Sequence, residues 1–126
     1  MRVLVADDSP EVRSRLVEML SNVRGVEIVG QACSAPEALA LVRRERPHAM
    51  VLDIRMTGGS GIDVLKAAKR QNPSMAVIML TNYPYPQYRK KCESLGADFF
   101  FDKSSESEKA VEALRRLSRQ KMEMRP

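Results

Sequence analysis

Apolar residues along this chain follow two rhythms. Short, mainly apolar runs, "RVLVA" at 2–6, "VEIVGQA" at 26–32, "AMVLDI" at 49–54, "AVIMLT" at 76–81 and "DFFFDK" at 98–103, read as strands. Between them the apolar positions recur every three or four residues. Ser9 and Pro10 supply an N-cap and a first-turn proline, and Val12, Leu16, Met19, Leu20 and Val23 then form one helical face. Helices are predicted likewise from Ser34 to Arg46, over 60–71 and over 87–96. Ser105 with Glu108 has the pattern of a capping box, opening a last helix whose inner face carries Val111, Leu114 and Leu117. That helix is expected to reach about residue 120, followed by a short polar tail.

Five strands and five helices in strict alternation imply an α/β fold: a (βα)5, doubly wound, five-stranded parallel sheet covered on both faces. The 126 residues suffice for a single domain spanning 1–126, and no separate output domain is expected. In such sheets the strands share a carboxyl edge, and ligands bind there, where the winding direction reverses.

Chemistry collects at that edge. "VLVADDSPE" runs a strand straight into Asp7 and Asp8, Asp53 ends the third strand, Thr81 the fourth and Lys103 the fifth. Adjacent carboxylates repel and lose hydration when buried, so they call for a cation or a shared proton. Hard oxygen donors with room for water suit Mg²⁺ or another small divalent ion such as Mn²⁺. Beside a cation and an ammonium, Asp53 could attack a phosphoryl donor and carry an acyl phosphate, with Lys103 and Thr81 serving the transferred oxygens. Each residue alone has an ordinary reading: Asp8 and Ser9 as caps, Asp53 as a turn residue, Thr81 as a strand former, Lys103 as a solvated end. Their convergence on one edge, with no comparable set at the other, argues for a site.

Taken in order, "VLVADDS", "MVLDIRM" with Gly61 eight residues after Asp53, "VIMLT" and "GADFFFDKS" resemble the receiver domain of bacterial two-component response regulators, stand-alone and CheY-like. The likeness covers Arg2 to about Leu117. It implies a flavodoxin-like strand order 2-1-3-4-5 and phosphoryl transfer to Asp53 from a histidine kinase or phosphotransfer protein. It further implies Mg²⁺ held by Asp8, Asp53 and the backbone carbonyl of Arg55, with Asp7 contacting it through water. Thr81 and Lys103 then bind the phosphoryl group, and Phe100 matches the aromatic that swings inward as the threonine moves, altering the face of the fourth helix, fifth strand and fifth helix. The family links the positions of Arg55 and Tyr83 to loss of the phosphoryl group. The chain departs from the common pattern at Thr57, where "TGGSG" suggests a mobile Gly-rich loop, at Asn82, and at Ser104 after the lysine.

All six aromatic residues lie between 83 and 101. The two prolines of "NYPYPQY" delay and shorten the fourth helix. Phe99 and Phe101 are read as local packing; Tyr83, Tyr85 and Tyr88, with Phe100, as a surface for a downstream protein partner.

Charge and cysteine usage add little. A net charge of +5 is spread over helix faces ("RRER", "RKK", "RRLSRQK"), so direct nucleic-acid binding is not expected. No apolar run approaches a signal peptide or membrane span, which points to a cytoplasmic protein without membrane association. Cys33 and Cys92 stand alone and are read as reduced packing residues, and His48, on the opposite edge, as an ordinary loop residue. The resulting expectation is a phosphorylation-controlled switch, not an enzyme on free substrates, with a phosphorylation-dependent homodimer left open. Its rivals are the receiver part of a longer DNA-binding transcription regulator and a small Mg²⁺-dependent phosphatase; a P-loop nucleotidase lacks its GxxxxGK[ST].

Overall fold

A computed structural model describes residues 1–123. The chain runs β1 (Arg2–Ala6), α1 (Pro10–Ser21), β2 (Glu27–Ala32), α2 (Ala35–Glu45), β3 (Ala49–Leu52), α3 (Gly61–Gln71), β4 (Ala76–Thr81), α4 (Pro86–Ser94), β5 (Phe99–Asp102) and α5 (Ser107–Glu123). The five strands pair in parallel in the order β2-β1-β3-β4-β5, the flavodoxin-like arrangement.

Both faces of the sheet are dry because both residue parities of its central strands are apolar. Leu4, Met50, Leu52, Val77 and Met79 pack with Ala38, Leu41, Val64, Leu65 and Cys92. Val3, Val5, Val51, Ile78 and Leu80 pack on the other side with Leu16, Leu20, Ala110 and Leu114. Helices α2, α3 and α4 thus cover one face, and α1 and α5 the other. Each fully buried aliphatic side chain contributes about 1.5–3 kcal/mol. The winding reverses between β1 and β3, and this junction sets the site.

Helix starts follow their local chemistry. Ser9, Ser34 and Ser60 accept from Val12 N, Glu37 N and Ile62 N, capping α1, α2 and α3. Helix α4 is delayed to Pro86 and has no side-chain cap, as its two prolines predict. His48 lies at the edge opposite the acids; its Nδ1 accepts the Arg2 N–H at 2.9 Å, and its carbonyl accepts the Ala76 N–H at 3.0 Å.

Four expectations are corrected. Helix α5 starts at Ser107 without the Ser105–Glu108 capping box, because Glu106 is engaged elsewhere: its N–H donates to Asp102 O at 2.7 Å and its carboxylate accepts the Asp102 N–H at 2.9 Å. The same helix continues to Glu123, past the expected end near residue 120, and residues 124–126, on which the rest of the expected polar tail falls, lie outside the described residues. The "TGGSG" segment is no loose loop. Arg55–Met56 and Gly59–Ser60 form a small antiparallel ribbon, and Thr57 O accepts from Ala35 N at 3.0 Å. Finally, only Cys92 packs inside, whereas Cys33 is exposed beside the Glu37 carboxylate.

Burial pushes the Cys92 thiol up to about 11, so it remains protonated and shielded at neutral pH. Alkylation of the native protein followed by mass spectrometry is expected to add one group, at Cys33, and a second only after denaturation; two adducts on native protein would contradict the packing.

Candidate functional site

Three carboxylates and an ammonium meet where β1 and β3 end. Asp7 follows β1 and Asp53 follows β3, and both are buried; Asp53 N donates to Ala6 O at 3.1 Å, which ties the two strand ends together. Asp8 is exposed and makes no hydrogen bond or ion pair among the described residues. The ligand oxygens of Asp7, Asp8 and Asp53 all lie within 4.8 Å of one another.

Lys103, just beyond β5, reaches across the junction. Its Nζ lies 2.5 Å from Asp7 Oδ2 and 2.6 Å from Asp53 Oδ2, with only 8% of its side chain exposed. The remaining oxygens are also engaged: Asp7 Oδ1 accepts from Ser9 N at 2.9 Å, and Asp53 Oδ1 from Ile54 N at 2.7 Å. Burial raises the Asp53 carboxyl above its ordinary range, with Asp7 adding to the rise, although Lys103 and, less strongly, Thr81 oppose it. For Lys103 burial acts downward, but its bonds to Asp53 and Asp7 more than compensate and leave the ammonium raised. The lysine is a firm cation, and Asp53 is a carboxylate held poor in solvent.

The donor set fits a divalent ion. Opposite oxygens on Mg²⁺ stand about 4.2 Å apart, so a cluster within 4.8 Å needs slight tightening or one bridging water. At formal charge, three carboxylates outnumber the Lys103 ammonium, and Arg13, whose Nη1 donates to Asp7 O at 2.8 Å, approaches the cluster from one side. Asp7, Asp8 and Asp53 are therefore brought together as expected. Arg55 follows in the ribbon, its strand partner Ser60.

Gly61 fixes the Asp53 segment, a role its spacing alone does not reveal. A Cβ there would sit 1.8 Å from the Asp53 carbonyl oxygen, while its N–H donates to Ile54 O at 2.6 Å. No side chain can occupy that position without moving Asp53.

Thr81 is fully buried at the end of β4, and its Oγ1 accepts from Tyr83 N at 3.1 Å. The Tyr83 ring lies 3.8 Å beneath the Arg55 guanidinium. Tyr83, Tyr85 and Tyr88 form a chain of tilted rings with centroids 6.3 and 5.6 Å apart; Tyr85 is the exposed member, at 46%.

Phe100 is inside the core, 5% exposed. In this conformation it adds no open surface to the expected partner face, its side of the pleat packing into the cluster that holds Cys92 and Met79. Arg89 holds it there: the guanidinium sits 4.6 Å from the ring centroid and donates to Phe100 O at 3.2 Å. Sequence offered no signal for Arg89 beyond one basic residue in a basic run. Phe99 and Phe101 stack on each other, ring centroids 5.8 Å apart, half-buried against α5, as local packing requires.

These features define a doubly wound α/β domain with a lysine-bridged acid cluster at its reversal point. A family model described as the response regulator receiver domain matches residues 3–115, and the chain belongs to that family. Its members serve two-component systems, in phosphorylation-controlled signalling. Response regulator GacA of Pseudomonas protegens is 30% identical over 115 residues, 91% of this chain and 54% of that protein. VraR of Staphylococcus aureus is 27% identical over 119 residues, 94% and 57% of the two lengths. The chain spans about half the length of the curated relatives it matches. Among solved structures, the NarL signal receiver domain from Mycobacterium tuberculosis has a TM-score of 0.82 at 30% identity, covering 94% of this chain and 95% of that one. The response regulator domain of Thermotoga maritima CheB gives 0.83 at 27% identity, covering 100% and 98%. No described helix is long and apolar enough to cross a membrane.

Two substitutions test this geometry. Lys103→Met, in EDTA, leaves two buried carboxylates facing each other and is expected to lower urea stability by about 3 kcal/mol; an unchanged midpoint would show that the bridge contributes nothing. Gly61→Ala is expected to cost about 3 kcal/mol, since the obstructing atom is backbone and cannot rotate away, and amide shifts should move at Asp53 and Ile54.

Proposed function

We propose that Asp53 is the acceptor of a phosphoryl group delivered by a phosphohistidine of a histidine kinase or phosphotransfer protein. An Asp53 oxygen forms a bond to phosphorus as the donor's P–N bond breaks, and the electron pair leaves with the donor nitrogen, giving an acyl phosphate. The observation that carries this reading is the Asp53 carboxylate, buried, 2.6 Å from Lys103 and grouped with Asp7 and Asp8.

Asp8, Asp53 and the Arg55 carbonyl would hold Mg²⁺ or Mn²⁺, with Asp7 reaching it through water. When bound, such an ion neutralises charge developing on the transferred oxygens. Lys103 supplies the second positive charge, and Thr81 offers its hydroxyl. The Thr81 hydroxyl is now committed to the Tyr83 N–H as acceptor, so its turning towards a phosphoryl oxygen would release the start of the tyrosine segment. Phe100 and Thr81 are thus the two parts of a switch read out on α4, β5 and α5, where Tyr83, Tyr85 and Tyr88 meet a downstream protein. In this reading residues 1–126 are one receiver unit acting in the cytoplasm, and the chemistry concerns only its own phosphorylation and dephosphorylation.

A second reading, the receiver part of a longer DNA-binding regulator, is favoured by the length of the relatives, of which this chain spans about half. Cloning the uninterrupted reading frame around residue 126 decides it.

The phosphorylation reading is tested by intact-protein mass after incubation with acetyl phosphate and Mg²⁺. One phosphoryl adduct is expected, lost with EDTA and in Asp53→Ala; an adduct that survives Asp53→Ala would assign the chemistry to another residue.

A further inference from the structure

At the sheet edge opposite the acids, α2 and α3 end side by side around a cleft of about 420 Å³ lined by Arg43, Arg46, Gln71, Asn72 and Met75. That volume falls within the range of small-ligand pockets, about 300–1,000 Å³. Its polar lining is rich in donors. The Arg43 and Arg46 guanidiniums have no hydrogen bond or ion pair among the described residues. Asn72 Oδ1 is occupied by Ser74 N and Oγ, at 3.2 and 2.8 Å, which leaves its amide N–H groups as the free part of that side chain. Gln71 uses Nε2 towards Val42 O at 3.2 Å and retains a second N–H. No carboxylate lines the cleft, and Glu45, the acid of this helix end, is paired with Arg2 and Arg44.

Arginines at a helix C-terminus ordinarily serve its free carbonyls. Here that duty is done by others. Arg2 Nη2 donates to Glu45 O at 2.8 Å, and Val42 O accepts both the Arg46 backbone N–H at 3.2 Å and Gln71 Nε2. Arg46 is, moreover, the sole non-glycine residue of left-handed backbone among those described, with φ 45°, and this turn carries the chain to the cleft lined by its side chain.

We infer that this cleft is a binding site for a small anion carrying two or more phosphoryl groups, gripped by Arg43 and Arg46 and oriented by the Gln71 and Asn72 amides over the Met75 side chain. Guanidinium forks match phosphate oxygens in geometry and charge, and two of them three positions apart favour two phosphoryl groups over one. The cleft opens at the amino ends of β3 and β4, away from Asp53, so its occupant does not compete with the acid cluster. It joins the ends of α2 and α3, the same helices whose beginnings hold the Asp53 segment through Thr57 and Gly61.

Pyrophosphate is the probe. Amide spectra of the full chain would be recorded in EDTA at constant ionic strength, titrating pyrophosphate and, separately, orthophosphate. The expected result is saturable shifts confined to residues 43–47 and 71–75, about tenfold weaker binding of orthophosphate, and loss of saturation in the double variant Arg43→Gln, Arg46→Gln. Both arginines are exposed, so that variant should keep its thermal midpoint and its spectrum around Asp53. Unsaturable drift shared with Arg115, Arg116 and Arg119 on α5, an equal response to both anions, or undiminished binding by the double variant would overturn the site.

Discussion

One ammonium between two buried carboxylates governs this molecule. Asp7 and Asp53 lie at adjoining strand ends, where burial penalises each charge and proximity penalises both. Without Lys103 the junction of β1 and β3, where Asp53 N donates to Ala6 O, would carry uncompensated charge in a dry setting. Yet the lysine compensates only one charge of three. The residual negative excess keeps the pocket attractive to a further cation.

A parallel sheet makes this economical in sequence. Every strand ends at the same edge, so four short segments, far apart in sequence, contribute Asp7, Asp8, Asp53, Thr81 and Lys103 without any long loop. The same topology sends helix ends and their basic residues to the opposite edge. The two poles therefore differ in chemistry for one topological reason, and a rigid core, apolar on both faces of the central strands, separates them.

How much of this was legible in the sequence depended on whether a signal was periodic or point-like. Five strands could be read as short, mainly apolar runs and five helices because period 3.6 repeats over many residues, and the acids, threonine and lysine because they terminate the apolar runs. Contacts between side chains distant in sequence have no such signature. Arg89 lies in a basic run that reads as solvated surface, yet it stacks on Phe100. The "TGGSG" segment reads as loose from its glycines, yet pairing of Arg55 with Ser60 and of Thr57 with Ala35 folds it. Cys33, at a strand end, is exposed, whereas Cys92, on an otherwise polar helix, is buried; a single residue carries no period from which to choose. The Ser105–Glu108 pattern failed because the competing bonds between Asp102 and Glu106 satisfy the same stretch of backbone earlier in the chain.

Two cation–ring contacts lie between the acid cluster and the surface of α4. Arg55, two residues after Asp53, lies over Tyr83, which is two residues after Thr81 and whose N–H is bound to the threonine hydroxyl. Arg89, one residue after Tyr88, lies over Phe100, three residues before Lys103. Each contact is worth about 0.5–2 kcal/mol, depending on its exposure. That is small beside the cost of breaking the core but comparable with the free energies that shift conformational populations. The fold thus concentrates its weak, reversible contacts between the site and α4 while the strands beneath stay fixed. In the proposed switch a charge change at Asp53 would act first on Lys103, which is bonded to it, and the two cation–ring contacts lie between that site and α4.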